Sequence, residues 1–414
     1  GNSMKNNYYA FNTARRVILT SFESFIKEEK RFNQLPLCRI TGIIIDESAK
    51  IKNPETKITQ VLIKASLLYK KRIIMTGTPI ANRPYDIWSQ IYFLDHGKSL
   101  GTDFKTFKSS TDLSNNLTGD IEKQKTFSDT IGTIFSKIEN FTVRETKNSG
   151  IIKLPPKEYY NIDLSFELNQ KTIYEEVRHK ASFELVKNNI VQEDDLNEII
   201  KRLTPLIEVT SNPALIDESY KQRPSKIAAL EPLLEEINNR GEKTIIWTSF
   251  KKNINFITKE LRQYNPVSYS GDMSMDERET SINRFITDPD VKVLVSTYAA
   301  KEGLTLTVAN NAIFYDRTLN LDDYLQAQDR IHRISQTDVC HIYNLRIMNS
   351  IDEWIDQLLN CKHLSAKLSQ GDITKEEFNS MMDFSFGKII HSILGDSDVR
   401  NRNNHWKKDV PHSS

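Results

Sequence analysis

The sequence predicts two α/β lobes, each a parallel sheet flanked by helices, with helical insertions between them. Three observations carry that expectation. The chain has 414 residues, more than the roughly 250 that a single hydrophobic core usually supports. Short Ile- and Val-rich runs end in polar residues, the pattern of strands buried on both faces of a parallel sheet. Helix-like stretches lie between these runs, which is the alternation of a doubly wound fold.

The first lobe is assigned to residues 1–150. Runs at 17–20, 42–45 and 72–76 are its expected strands, and 56–69 is the helix between the last two. Residues 103–140 turn polar and rich in Ser, Thr and Asn with scattered Phe, and are expected to form a helical insertion closing this lobe. Pro155-Pro156 then interrupt any helix.

Residues 151–224 are expected to form an inter-lobe segment and a helical protrusion. Within it 167–210 reads as helical, with Tyr174, Val177, Ala181 and Leu185 spaced for one packed face. The second lobe, 225–370, is a full alternation. Its expected helices are 226–239, 251–263, 274–285, 321–333 and 351–363. Its expected strands are 244–247, 266–269, 291–296, 312–315 and 339–345. The tail 371–414 is polar and carries no readable motif, and nothing repeats at a period of about 20–50 residues.

Composition narrows the classes. The chain is 38% hydrophobic and 27% charged, the balance of an ordinary globular protein, and no stretch approaches the apolar length of a membrane span, roughly 20 residues. Lys and Arg number 56 against 55 Asp and Glu, so net charge gives no argument for nucleic acid, and DNA binding has to rest on motifs. Cys38, Cys340 and Cys361 lack metal-ligand spacing and are odd in number, which points to a reducing, intracellular compartment. No secretory signal pattern is visible. Gly1-Asn2-Ser3 precede Met4, so residue 1 need not be the natural start.

Four places carry chemistry. The run 42–45 delivers Asp46-Glu47 at its carboxyl end, where open α/β sheets bind ligands. Adjacent carboxylates there can divide labour, one holding Mg²⁺ through its water shell and the other accepting a proton from an attacking water. The next strand ends in Thr76-Gly77-Thr78-Pro79, whose hydroxyls and glycine permit close approach to a phosphate or to the Asp-Glu loop.

Helix 321–333 carries Gln326, Asp329, Arg330, His332 and Arg333. Arginines three apart on one helix face can present two guanidinium forks to phosphates. Upstream of it, Ser296-Thr297 lead through Ala299-Ala300-Lys301-Glu302 to Gly303-Leu304-Thr305, a strand-end hydroxyl pair and a Gly turn suited to a DNA phosphate and to sensing a nucleotide. Taken singly, each of these features is also what a solvated loop, a turn or a salt-bridged surface helix shows. Their order and spacing over two lobes are far more specific.

From about Val17 to Leu359 the chain resembles the Swi/Snf family of superfamily-two helicase-like ATPases. Val17-Ile18-Leu19-Thr20-Ser21-Phe22-Glu23 is similar to motif Ib, Asp46-Glu47-Ser48-Ala49-Lys50-Ile51-Lys52-Asn53 to motif II, and Met75-Thr76-Gly77-Thr78-Pro79-Ile80-Ala81-Asn82 to motif III. Leu154-Pro155-Pro156-Lys157 is similar to the inter-lobe segment, and Ile246-Trp247-Thr248-Ser249-Phe250 to motif IV. The stretches 296–306 and 326–336 are similar to motifs V and VI.

The resemblance implies two RecA-like lobes, the first incomplete, that track along double-stranded DNA as ATP opens and closes a cleft. It implies ATP and Mg²⁺ as ligands, protein partners in a larger complex, and a cytoplasmic setting in a bacterium or phage or a nuclear one in a eukaryote. Carried over by position, Asp46 coordinates Mg²⁺ through water and Glu47 polarises the attacking water. Arg330 and Arg333 become the arginine fingers, and Gln326 and Gly303 support the nucleotide. Thr76, Gly77 and Thr78 couple the motifs. Thr20, Ser21, Ser249 and Thr297 contact the DNA backbone.

Three departures matter. Position 49 is Ala where many relatives have His, so coupling between motifs II and III is expected to use different contacts. Motif V has Ala300-Lys301 in place of paired glycines and Thr305 in place of Asn, a variant that resembles bacterial, phage and annealing-type members. The phosphate-binding loop, G-x-x-x-x-G-K-[ST], does not occur before Asp46; Gly97-Lys98-Ser99 is a decoy, because position 92 is Tyr and the segment follows motif III.

The favoured expectation is therefore a fragment of a working motor, inactive alone, since Asp46, Glu47, Arg330 and Arg333 have no evident purpose without hydrolysis. The alternative is a non-hydrolysing DNA-binding or regulatory module derived from such a motor. A strand-separating helicase or a restriction-type motor shares the chemistry, and no nuclease motif is visible to single it out.

Overall fold

The structure is a computed structural model and describes residues 17–38, 42–80, 82–113, 121–144, 153–187, 196–301 and 304–382. The chain divides into two compact units. The first draws on residues up to 116, on 120–142 and on 364–381, and the second is built mainly from 143–363.

In the first unit, strand β1 (Gly42–Ile45) pairs in parallel with β2 (Lys71–Ile74), placing Ile44 opposite Ile73. The connecting helix Lys57–Ser66 starts where Thr56 caps it by accepting the Thr59 backbone N–H. Its apolar face, Val61, Leu62 and Ala65, packs with Ile45, Ile51, Phe25, Phe32 and Phe93 into one core. The opposite sheet face is uncovered among the described residues, with Ile44 and Ile73 both exposed. The expected helical insertion is present as Phe104–Thr111, Ile121–Gly132 and Ile134–Ile138. Ile134 and Ile138 form a second core with Ile80, Trp88, Ile91, Phe107 and Ala366.

The run 17–20 is not a strand. It has no sheet partner among the described residues, Leu19 is 93% exposed, and Ser21 ends it by capping the helix Phe22–Lys27. An apolar run becomes a strand only where a neighbour takes its backbone groups.

The second unit holds a six-stranded, wholly parallel sheet in the order β3-β8-β7-β4-β6-β5. Its strands are β3 (Lys157–Leu164), β4 (Thr244–Thr248), β5 (Val267–Tyr269), β6 (Val293–Thr297), β7 (Asn311–Phe314) and β8 (Cys340–Ile347). Successive inward and outward side chains feed two cores. Ile246, Val293, Val295 and Ile313 meet the helices Ser225–Asn239 and Lys251–Glu260, while Ile245, Trp247, Leu294 and Phe314 meet Phe285 of Met275–Thr287 and Ala327 of Leu321–Gln328. Covering both faces is what a parallel sheet requires.

Two features of this unit differ from expectation. Lys157–Leu164, read from the sequence only as part of an inter-lobe segment, is an edge strand paired along its length with β8. The helix expected over 321–333 stops at Gln328. Past Gln328 the Arg330 and Ile331 N–H groups bond the Ala327 and Gln328 carbonyls three residues back, at 3.3 Å each, while the Gln326 carbonyl accepts Arg330 Nε at 3.2 Å. The four-residue spacing that helix propagation needs is lost. Among the described residues no helix is long and apolar enough to cross a membrane.

Candidate functional site

β1 ends at Ile45, and the chain turns at once. Glu47 adopts φ 53° and ψ 53°, a left-handed conformation uncommon for a residue with a Cβ and held only where the surroundings fix it. Three bonds do so. Asp46 Oδ1 accepts the Glu47 N–H at 2.9 Å, the Glu47 carbonyl accepts the Lys50 N–H at 3.0 Å, and the Ser48 N–H reaches the Met75 carbonyl at 2.9 Å beyond the end of β2. The result is an exposed Asp46 and a half-buried Glu47 at the carboxyl end of a parallel strand.

The second loop starts where β2 ends. The Thr76 hydroxyl accepts the Thr78 N–H at 3.2 Å, a local turn bond that shapes Thr76-Gly77-Thr78. A Cβ on Gly77 would meet nothing within 4 Å, so the missing side chain answers no contact inside the chain and leaves its backbone open to an approaching group. The two loops are brought together. Beyond the Ser48–Met75 bond, the buried Gln90 side chain spans them, accepting from Ser48 Oγ at 2.7 Å and donating to the Pro79 carbonyl at 3.0 Å.

In the second unit the strands point their carboxyl ends to one edge. β4 lies between β6 and β7, so Ser249, Thr297 and Asp316 follow three adjacent strand ends. This is the place where chain order reverses across the sheet and where such folds bind ligands. Asp316 is buried and accepts from Thr248 Oγ1 at 2.6 Å, Ser211 Oγ at 2.7 Å and the Ser249 backbone N–H at 2.5 Å. Asn253 donates to Ser211 Oγ and Thr248 Oγ1, and Tyr298 OH to the Asp316 carbonyl, closing the network. Burial pushes the Tyr298 phenol well above its ordinary pKa, which keeps it a donor. The Ser249 residue is thereby fixed while remaining exposed, whereas Thr297 is buried.

The arginines lie past the end of helix Leu321–Gln328, so they do not share a helix face. Arg330 is 7% exposed, and its guanidinium turns inward to the Leu304 carbonyl at 2.8 Å and the Gln326 carbonyl at 3.2 Å. Arg333 is half-buried and donates to Thr305 Oγ1 at 2.8 Å. Gln326 donates to Asp322 Oδ1 at 3.0 Å. Thus Arg330, Arg333, Gln326 and Leu304-Thr305 converge, while Gly303 lies outside the described residues. Thr20 and Ser21 are exposed at the start of helix Phe22–Lys27, and the Ser21 hydroxyl caps that helix by accepting the Ser24 N–H at 3.2 Å.

Sequence reasoning passed over several residues that the structure ties to these sites. Gln90 sits in a mostly apolar helix, Trp88–Asp95, where an amide beside Trp88, Ile91 and Phe93 is itself a signal. Asp316 ends an apolar run, which is equally legible. Lys157 and Tyr159 were not: β3 carries them to the arginine segment, with Lys157 Nζ at 2.9 Å from Asp329 Oδ1 and Tyr159 OH at 3.0 Å from Gln328 Oε1. Burial, and behind it the Asp329 charge, raises the Tyr159 phenol, so it stays protonated. His332 Nε2 meets the Pro155 carbonyl at 2.7 Å.

A parallel-sheet lobe with an arginine-bearing loop, preceded in the chain by an acidic strand end and a Thr-Gly-Thr loop, is the build of a superfamily-two helicase-like ATPase. Residues 2–215 match the SNF2-related domain and residues 225–335 the helicase conserved C-terminal domain, and the chain belongs to the SNF2 family. It is 25% identical over 425 residues to the human lymphoid-specific helicase, an alignment covering 85% of this chain and 50% of that one. It is 24% identical to the Saccharomyces cerevisiae ISWI chromatin-remodeling complex ATPase ISW1, covering 87% of this chain and 32% of that one. It is 30% identical to Bacillus subtilis YwqA, provisionally named an ATP-dependent helicase/translocase, covering 77% and 34%. The chain therefore spans half the length of the human relative and about a third of the other two.

Proposed function

We propose that this chain forms most of a motor that couples ATP hydrolysis to movement along double-stranded DNA. The observation that carries the reading is the Asp46-Glu47 pair, held at the carboxyl end of β1 with Glu47 in the left-handed region and its loop bonded to the loop that ends β2. Support comes from relatives named as helicases and as a remodeling-complex ATPase.

Among the described residues no group of three or more His, Cys, Asp or Glu is gathered for a metal. One exposed carboxylate at a strand end suits Mg²⁺, which keeps its waters and shares substrate phosphates instead of entering an all-protein cage. Asp46 would hold the ion through water; when bound, the ion neutralises charge on the phosphates. Glu47 then orients a water and accepts its proton. Arg333, less buried than Arg330, is the arginine finger that stabilises the charge developing on the transferred phosphoryl group. Arg330 can join it only by giving up the Leu304 carbonyl, so it also sets the position of the Leu304-Thr305 loop. Gln326 and Gly303 support the nucleotide.

Thr20, Ser21 and Ser249 offer exposed hydroxyls or N–H groups to DNA phosphates, and Thr297 is the least suited because it is buried. The phosphate-binding loop is proposed to lie in a segment preceding this chain, because no G-x-x-x-x-G-K-[ST] occurs ahead of Asp46 while the later motifs are present. The motor is further proposed to work with protein partners in a larger assembly.

The test is Glu47→Gln in the protein extended to include that loop. DNA-stimulated hydrolysis should fall to background while binding of a fluorescent ATP analogue is retained. Undiminished turnover removes Glu47 as the base, and no hydrolysis by the unmutated extended protein removes the reading.

A further inference from the structure

The two loops of the first unit have to move together if closing one is to arm the other, and the side chain of Ala49, next to Ser48, has no polar atom with which to join them. The coupling is made elsewhere. The Ser48 side chain is fully buried, and its hydroxyl donates to Gln90 Oε1 at 2.7 Å. The Gln90 amide nitrogen donates to the Pro79 carbonyl at 3.0 Å and to the Asp86 carbonyl at 2.8 Å. Two carbonyl oxygens on one side and a hydroxyl on the other fix the amide orientation, since carbonyls can only accept. Gln90 is 1% exposed, so no solvent competes for these bonds.

Its neighbours reinforce the same junction. Ser89 Oγ donates to the Ile51 carbonyl, and Asp86 pairs with Lys52 at 3.6 Å, so one short stretch, from Asp86 to Gln90, grips the turn that follows Asp46-Glu47 at three points, Ser48, Ile51 and Lys52. A buried amide satisfied on both sides is a rigid link, because breaking either bond strands a polar group away from water.

We infer that Gln90 is a positioning residue that couples the Asp46-Glu47 loop to the Thr76-Gly77-Thr78-Pro79 loop through Ser48 and Pro79. The inference rests on the proposed ATPase reading for its effect on rate, and on geometry alone for the coupling. Gln90 touches no reacting atom. It acts by holding Glu47, two residues' reach away through Ser48, in register with the Thr-Gly-Thr turn.

Two measurements test it. In the 414-residue chain, Gln90→Leu should raise amide hydrogen exchange in both loops, at Glu47-Ser48 and at Gly77-Thr78, while the helix Lys57–Ser66 keeps its protection. Faster exchange in one loop alone, or in neither, overturns the coupling. In the extended protein, Gln90→Leu should lower kcat by about 10²-fold, the scale of a small misplacement of a reacting group, with KM for ATP nearly unchanged.

Ser48→Ala should act in the same direction, and the double variant should be no slower than Gln90→Leu, because the two side chains work as a unit. Effects that multiply, an unchanged kcat, or a loss that disappears once the variant is cooled until fully folded would each overturn the positioning role. If the unmutated protein hydrolyses nothing, the ATPase reading fails while the exchange result still decides the coupling.

Discussion

The two units present their motif residues on the same device, the carboxyl edge of a parallel sheet, but they support it differently. In the first, two four-residue strands carry the Asp46-Glu47 and Thr76-Gly77-Thr78 loops, one sheet face is exposed at Ile44 and Ile73, and the loops are held by a helix-borne amide. In the second, a six-stranded sheet whose central strands β4, β6 and β7 are buried throughout carries Ser249 and Thr297, and the edge is held from beneath by the buried Asp316 network. A wide sheet with a covered centre can hold its edge from a buried network below. A narrow one depends on what is bonded across its loops, which is why Gln90 has so much to do.

Three changes would break or sharpen that contrast. Asp316→Ala should cost the most. It leaves the buried Ser211 and Thr248 hydroxyls and the Ser249 N–H without their acceptor, worth about 3–9 kcal/mol at about 1–3 per stranded group. A denaturant midpoint for the second unit unchanged from the unmutated protein would mean that the edge does not rest on this network.

Next come matched truncations in the two sheets. Ile313→Ala, fully buried in the second sheet, should lose about 2–5 kcal/mol. Ile44→Ala, on the exposed face of the first, should change stability by less than about 0.5 kcal/mol. Equal losses in urea unfolding would show that the exposed face is in fact covered.

The smallest effect is one of pH. Burial, with the Arg72 charge behind it, lowers the His96 pKa below its ordinary value of 6.5. The unfolded chain then binds the proton more readily than the folded one. Stability of the first unit should therefore be full above pH 6.5 and decline modestly as pH falls from there to the folded pKa. His96→Asn, which suits the left-handed backbone at that position, should flatten the slope. A slope that survives the substitution would assign it to other groups.

Much of this was legible in advance because it depends on local pattern. Every strand expected in the second lobe appears, since Ile- and Val-rich runs such as 244–247 and 312–315 can be satisfied only by burial on both faces. The acidic pair and the Thr-Gly-Thr turn fell where expected because strand ends follow from where the apolar runs stop. Two expectations failed where pattern depends on a distant partner. The run 17–20 has a strand's composition but no pairing strand among the described residues, and the 321–333 helix is cut short because the Arg330 and Ile331 N–H groups turn to carbonyls three residues back.

The sequence by itself therefore determined the fold class, the order of the motifs and the family, because hydrophobic periodicity and residue spacing are properties of contiguous chain. Only the tertiary structure decided that Lys157–Leu164 completes the second sheet, that Arg330 turns inward to the Leu304 carbonyl while Arg333 meets the Thr305 hydroxyl, and that Gln90 ties two loops lying on either side of the Thr56-capped helix. Each of those rests on hydrogen bonds between residues 11 or more positions apart, and the partner is chosen by packing, which no local pattern encodes.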